Sequence, residues 1–192
     1  MPLTFGLNDQ EKKFLCDQAA YAIDSGFADG SVGAAPKRPD KSPNSPLFRN
    51  LGSFVTLTLK GRLRGCIGTI IAHEPLWLNV WNMARAAAFQ DPRFPSLTAA
   101  EWSNCSFEIS VLDQPELCPD PNQIKIGRDG LILQYRGRTG VFLPQVPVEQ
   151  HWNLEEYLEN LCGKAGVPQG SWESPEAKLF WYQALVFGCS EN

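Results

Sequence analysis

Apolar residues recur at helical spacing over residues 9–25, where Leu15, Ala19, Ala22 and Ile23 form one stripe. Asn8 and Glu11 occupy the N-cap and N3 positions of a capping box, and Gly26 is the expected stop. Between residues 27 and 50 the pattern dissolves. Pro36, Pro39, Pro43 and Pro46 alternate there with glycine, serine and charge. Such a composition buries no core and reads as a loop, either mobile or laid over a site.

From Val55 the period changes to two. Val55, Leu57 and Leu59 alternate with Thr56 and Thr58, and Lys60-Gly61 turns the chain into a second strand over residues 62–70. A helix over residues 75–89 follows, with Leu76, Val80, Ala84 and Ala87 as its stripe and Pro75 in its first turn. Thr98 with Glu101 caps a short helix, and Cys105, Phe107, Ile109 and Val111 alternate with Ser106, Glu108 and Ser110 as a half-buried strand. Residues 124–146 read as short strands broken at Asp129-Gly130 and Arg136-Gly137-Arg138. Asn153 with Glu156 opens a further helix that Gly166 closes, and residues 178–187 are an aromatic run read as a buried strand. Helices mixed with hairpins imply an α+β fold, a mostly antiparallel sheet flanked by helices, in one domain over residues 1–192.

Composition narrows the function classes. A net charge of −4 and a pI near 5.2 leave no electrostatic footprint for nucleic acid or an anionic membrane. No apolar run approaches the roughly 20 residues that cross a bilayer, and no secretory start precedes the charged residues Asp9, Glu11, Lys12 and Lys13. The six cysteines, at 16, 66, 105, 118, 162 and 189, form no Cys-x-x-Cys pair, which points to a cytoplasmic chain with reduced thiols. No spacing of His73, His151, cysteine and carboxylate supplies a metal set, and no phosphate or dinucleotide loop is present, so neither metal nor cofactor is expected.

The densest chemistry lies in Leu63-Arg64-Gly65-Cys66-Ile67-Gly68-Thr69. Strand alternation puts Arg64 and Cys66 on one face, and a cation beside a thiol favours the reactive thiolate. Gly65 and Gly68 leave room for a second backbone or a small ligand. Cys66 is either a nucleophile, helped by Arg64 and by Arg93 from the following loop, or a small buried hydrophobe. Arg64 and Arg93 either clamp a carboxylate or phosphate, or brace the sheet through Asp91 or Glu108. Glu108 is a proton carrier beside the thiol or a solvated carboxylate. Gln145, between Pro144 and Pro147 in a stretch read as extended, offers its amide to a ligand or to a neighbouring backbone.

That seven-residue stretch, with Asp91-Pro92-Arg93-Phe94-Pro95, Leu143-Pro144-Gln145-Val146 and Gly163-Lys164-Ala165-Gly166 followed by Trp172, resembles the AMMECR-one family, in bacteria the AmmeMemoRadiSam system protein A. The resemblance spans nearly the whole chain. It implies a two-lobed α+β fold with the cysteine motif in a cleft, and the company of a Memo-like protein and a radical SAM enzyme. It brings no reaction with it. Radical SAM chemistry needs three closely spaced cluster cysteines, so this chain is expected as a companion of that enzyme. The 27–50 segment reads as a lineage-specific loop, and the Gly188-Cys189-Ser190 ending departs from the acidic finish expected of the family. The oligomeric state stays open.

Overall fold

A computed structural model describes residues 3–29 and 35–189. Helix α1 (Asp9–Asp29) begins at the capping box, where Asn8 and Glu11 exchange side chain–backbone hydrogen bonds of 3.0 Å. Leu15, Ala19, Ala22 and Ile23 are fully buried, as their spacing predicts. The helix does not stop at Gly26. A Cβ there would collide with the Phe89 ring, so this glycine lets a second helix approach.

Residues 30–34 of the proline-rich segment lie outside the described residues, as do Met1, Pro2 and Ser190. The later part of that segment is tied to α1. Gln18 exchanges two hydrogen bonds with the backbone of Lys37, Ser45 Oγ donates to Glu11 at 2.6 Å, and Leu47, in a short 3-10 turn, is fully buried.

The chain divides into two compact units, one of residues 4–112 with 185–192, the other of residues 1–3 with 113–184. In the first, β1 (Gly52–Leu59) pairs antiparallel with both β2 (Arg62–Thr69) and β3 (Cys105–Leu112), so β2 is an edge strand. Helix α2 (Leu76–Phe89) packs on α1 and on β1, sealing Val55, Leu57, Val80 and Ala84 from water. A capping box of Thr98 and Glu101 starts the single turn of α3 (Ala99–Trp102).

The second unit holds β4 (Glu116–Leu117), β5 (Asp129–Tyr135), β6 (Arg138–Phe142) and most of β7 (Lys178–Cys189). β5 pairs antiparallel with β6 and β7, and β4 pairs with β7. Contrary to expectation, Asp129-Gly130 does not break a strand but opens β5. Arg136-Gly137, with φ of 47° and 76°, is the true hairpin turn. After a short α4 (Val146–Glu149), α5 (Leu154–Ala165) packs Tyr157, Leu158 and Leu161 with Leu131 and Leu133. Its Asn153–Glu156 capping box and its left-handed Gly166 stop are both present. β7 is not a buried strand throughout, since Lys178, Val186 and Gly188 are exposed; from Leu185 onward it belongs to the first unit.

The α+β class and the antiparallel pairing therefore hold. The reduced state of all six thiols does not. Cys16 on α1 and Cys189 at the end of β7 form a disulfide across a separation of 173 residues. No local spacing announces it, because only folding brings the end of the chain to the first helix. Cys105 and Cys162 are free and buried; Cys66 and Cys118 are free and half-buried. No helix among the described residues is long and apolar enough to cross a membrane.

Candidate functional site

The turn Lys60-Gly61, both at positive φ, delivers the chain into β2, where the register with β1 slips by one residue. Thr58 pairs with Leu63 and Leu57 with Gly65, so Arg64 is the extra residue of a β-bulge. A bulge breaks strict alternation. Arg64 and Cys66 therefore do not share a face, contrary to the expectation from an unbroken strand. A Cβ at Gly65 would strike the Ala87 carbonyl of α2, while Cys66 stands opposite Thr56 on the other face.

Arg64, only 8 % exposed, is committed to protein partners. Its Nε and Nη2 donate to the two Glu101 oxygens at 3.0 and 3.1 Å, and Nη2 also donates to the carbonyls of Pro95 and Ser96. The bond from Arg64, followed by those from Thr98, holds the Glu101 carboxyl down at about 2. The thiol that favours the Arg64 charge is Cys105.

Arg93 is the guanidinium that meets Cys66. Asp91, 4 % exposed, accepts the Cys66 amide at 2.9 Å and the Arg93 Nη2 at 2.7 Å. Its other oxygen accepts from the Arg93 amide and Nε. Arg93 Nη2 donates in turn to the Cys66 carbonyl at 3.1 Å. The pair thus satisfies both backbone polar groups of Cys66 on the open edge of β2, as a neighbouring strand would. Arg93, with Cys66's amide as a further donor, holds the Asp91 carboxyl well below the usual carboxylate range against the opposing effect of burial. Arg93 is held above its ordinary value first by Asp91 and also by the Cys66 sulfur. Half of its side chain remains exposed.

Across the sheet, Cys66, Thr56 and Glu108 stand abreast on one face of β2, β1 and β3. Thr56 Oγ1 donates to the Cys66 sulfur at 3.3 Å. Glu108 lies two strand spacings from Cys66, about 10 Å, so it reaches the sulfur only through something bound between them. Gly68 carries no side chain because the Phe54 ring occupies the place of its Cβ.

The structure therefore brings Cys66, Arg93 and Glu108 to one strand group and turns Arg64 away. Gln145 belongs to the second unit. It is not extended either: with φ −73° and ψ −27° it turns the chain into α4, because Pro147 suits the first turn of a helix. Thr56 was not foreseen as a site residue; its place in the strand alternation, cross-strand from the cysteine, was the available signal. No group of three or more metal-ligating side chains occurs among the described residues.

The chain matches the AMMECR1 family model over residues 16–187. It is 37 % identical to a Thermococcus gammatolerans protein, covering 95 % of this chain and 92 % of that one. A Methanocella arvoryzae protein is 44 % identical over 143 residues, covering 71 % and 72 %. Among solved structures, the crystal structure of the uncharacterised protein PH0010 from Pyrococcus horikoshii superposes with a TM-score of 0.84 at 37 % identity, covering 95 % of this chain and 93 % of that one.

Proposed function

Because the chain belongs to the AMMECR1 family, we propose that its bulged edge strand presents a thiol-centred site, making it a cysteine-dependent enzyme or enzyme component that acts on a small anionic substrate. One observation carries this reading: the half-buried Cys66 sulfur has the Thr56 hydroxyl donating to it and the Arg93 guanidinium beside it, while Asp91 and Arg93 fix its backbone. A hydroxyl donor and a cation both stabilise sulfur's negative charge, the form in which it attacks. The exposed part of Arg93 receives the anionic group of the substrate. Glu108 carries protons through the bound molecule or a water. In this reading the protein works in the cytoplasm alongside a Memo-like protein and a radical SAM enzyme.

Limiting iodoacetamide at neutral pH tests it, with Cys118 as the internal control, since burial pushes that half-buried thiol up. Cys66 labels roughly tenfold faster than Cys118, and Arg93→Ala erases most of the advantage. Equal rates for the two cysteines defeat the enzymatic reading. A second reading, recognition without chemistry, is favoured by the commitment of Arg64 to Glu101 and by the filling of both glycine gaps with protein atoms. It is the one left standing if Cys66 proves inert while Arg93→Ala still abolishes co-purification of a companion protein.

A further inference from the structure

Beyond Glu108, the face that carries Cys66 continues into a cavity. The stripe of β3 on that face is Ser106, Glu108 and Ser110, and Ser106 is directly opposite Thr58 as Glu108 is opposite Thr56. A cavity of about 330 Å³ is lined by Thr58, Ser106, Phe107, Glu108, Gly188 and Cys189. Its far wall, Gly188 and Cys189, is fastened to α1 by the disulfide to Cys16. No cation lines it. Among the described residues the Glu108 carboxylate has no hydrogen-bond or ion-pair partner, nor do the side chains of Thr58 and Ser106. At the deep end of the stripe, Ser110 is 1 % exposed and its Oγ is unpartnered among the described residues.

We infer that this cavity is a subsite for an organic ammonium group. Half-burying a carboxylate without a partner costs stability, and the cost is offset when a cation joins it. An ammonium carries three donors, and the cavity lining offers three acceptor side chains, the Glu108 carboxylate and the hydroxyls of Ser106 and Thr58. A divalent metal fits poorly, because it seeks six or more oxygens with several charges among them, and the described lining supplies one carboxylate. The inference deepens the thiol reading. The substrate of that site bears a positively charged amine about 10 Å, two strand spacings, from the atom that Cys66 attacks. Glu108, the proton carrier of that reading, also binds the amine, whose own proton is the one it can pass on.

Ligand-observed saturation-transfer NMR with n-butylammonium, and n-butanol and butyrate as neutral and anionic controls, tests the subsite on the full chain. Butylammonium binds at least roughly tenfold tighter than butanol, and Glu108→Gln brings it to the butanol level, the loss of one charge-assisted bond. Ser106 is exposed, so Ser106→Lys folds and supplies a tethered ammonium that excludes the probe without lowering the melting temperature. Butylammonium binding no better than butanol, or binding unchanged in both variants, overturns the subsite. Cys66 labelling on the same samples separates the two readings. In the unsubstituted chain, no ammonium preference with fast Cys66 labelling defeats the subsite alone, and slow labelling with a clear preference defeats the thiol reading alone.

Discussion

Asp91 and Asp129 are both buried carboxylates gripped by an arginine almost adjacent in sequence, yet they serve different ends. Asp129, 2 % exposed, takes both the Nε and Nη2 of Arg128 and accepts the amide of Lys125 at 2.8 Å. Everything it touches through its carboxylate lies within four residues, and the result is a knot that starts β5. Asp91 makes the same fork with Arg93 but reaches 25 residues back to the Cys66 amide, and its arginine goes on to the Cys66 carbonyl. One pair closes its own turn; the other braces a distant edge strand and leaves a guanidinium beside a thiol. An ion pair of given chemistry is structural or site-forming according to what its free lone pairs and donors reach, which the pair itself does not reveal.

Breaking each fork sharpens the contrast. Asp91→Ala has the largest expected effect, about 3 kcal/mol in urea unfolding, because it strands two backbone amides and a guanidinium at once. It also changes the labelling rate of Cys66. Asp129→Ala strands one amide and Arg128, costs about 2 kcal/mol, and leaves Cys66 labelling at the wild-type rate. If Asp129→Ala alters that rate as much as Asp91→Ala does, the distinction between a local knot and a site-forming brace fails.

Acid weakens two carboxylate braces in the same direction. Glu101, held down at about 2 by Arg64 and Thr98, and Asp91, held low by Arg93, both bind fewer protons folded than unfolded. Their contribution is fully present above the ordinary carboxylate values and is lost as pH falls through the folded ones. The melting temperature is therefore steady above about pH 5 and drops from about pH 4.5 toward 2, the interval between the ordinary and folded values of Glu101. Asp91→Asn gives a shallower acid limb in the same scan. The smallest effect is that of Thr56→Val, which keeps shape but removes the donor to sulfur. It costs at most about 1 kcal/mol and slows Cys66 labelling a few-fold, with Cys118 unchanged.

Much of this was legible in the chain. The capping boxes at Asn8, Thr98 and Asn153 set three helix starts because a cap is a local contract between a side chain and amides two or three residues away. The alternation of Val55, Leu57 and Thr56 fixed which face of β1 is buried. The extension of α1 past Gly26 was not legible, since the reason for the glycine is the Phe89 ring on another helix. At the site, Cys66, Arg93 and Glu108 stood out by residue type, but Arg64 was assigned to the wrong face. A one-residue bulge inverts every face assignment before it, and its position depends on pairing with β1, not on the residues of β2 alone.

The sequence by itself determined the α+β class, the helix caps, the strand periods and the family, because each rests on contacts within a few residues or on residue order. Tertiary structure decided which arginine stands by Cys66, which carboxylate holds the edge of β2, and that Cys16 finds Cys189. Those outcomes depend on register and on the meeting of segments tens to nearly two hundred residues apart, and no local pattern encodes a distance of that kind.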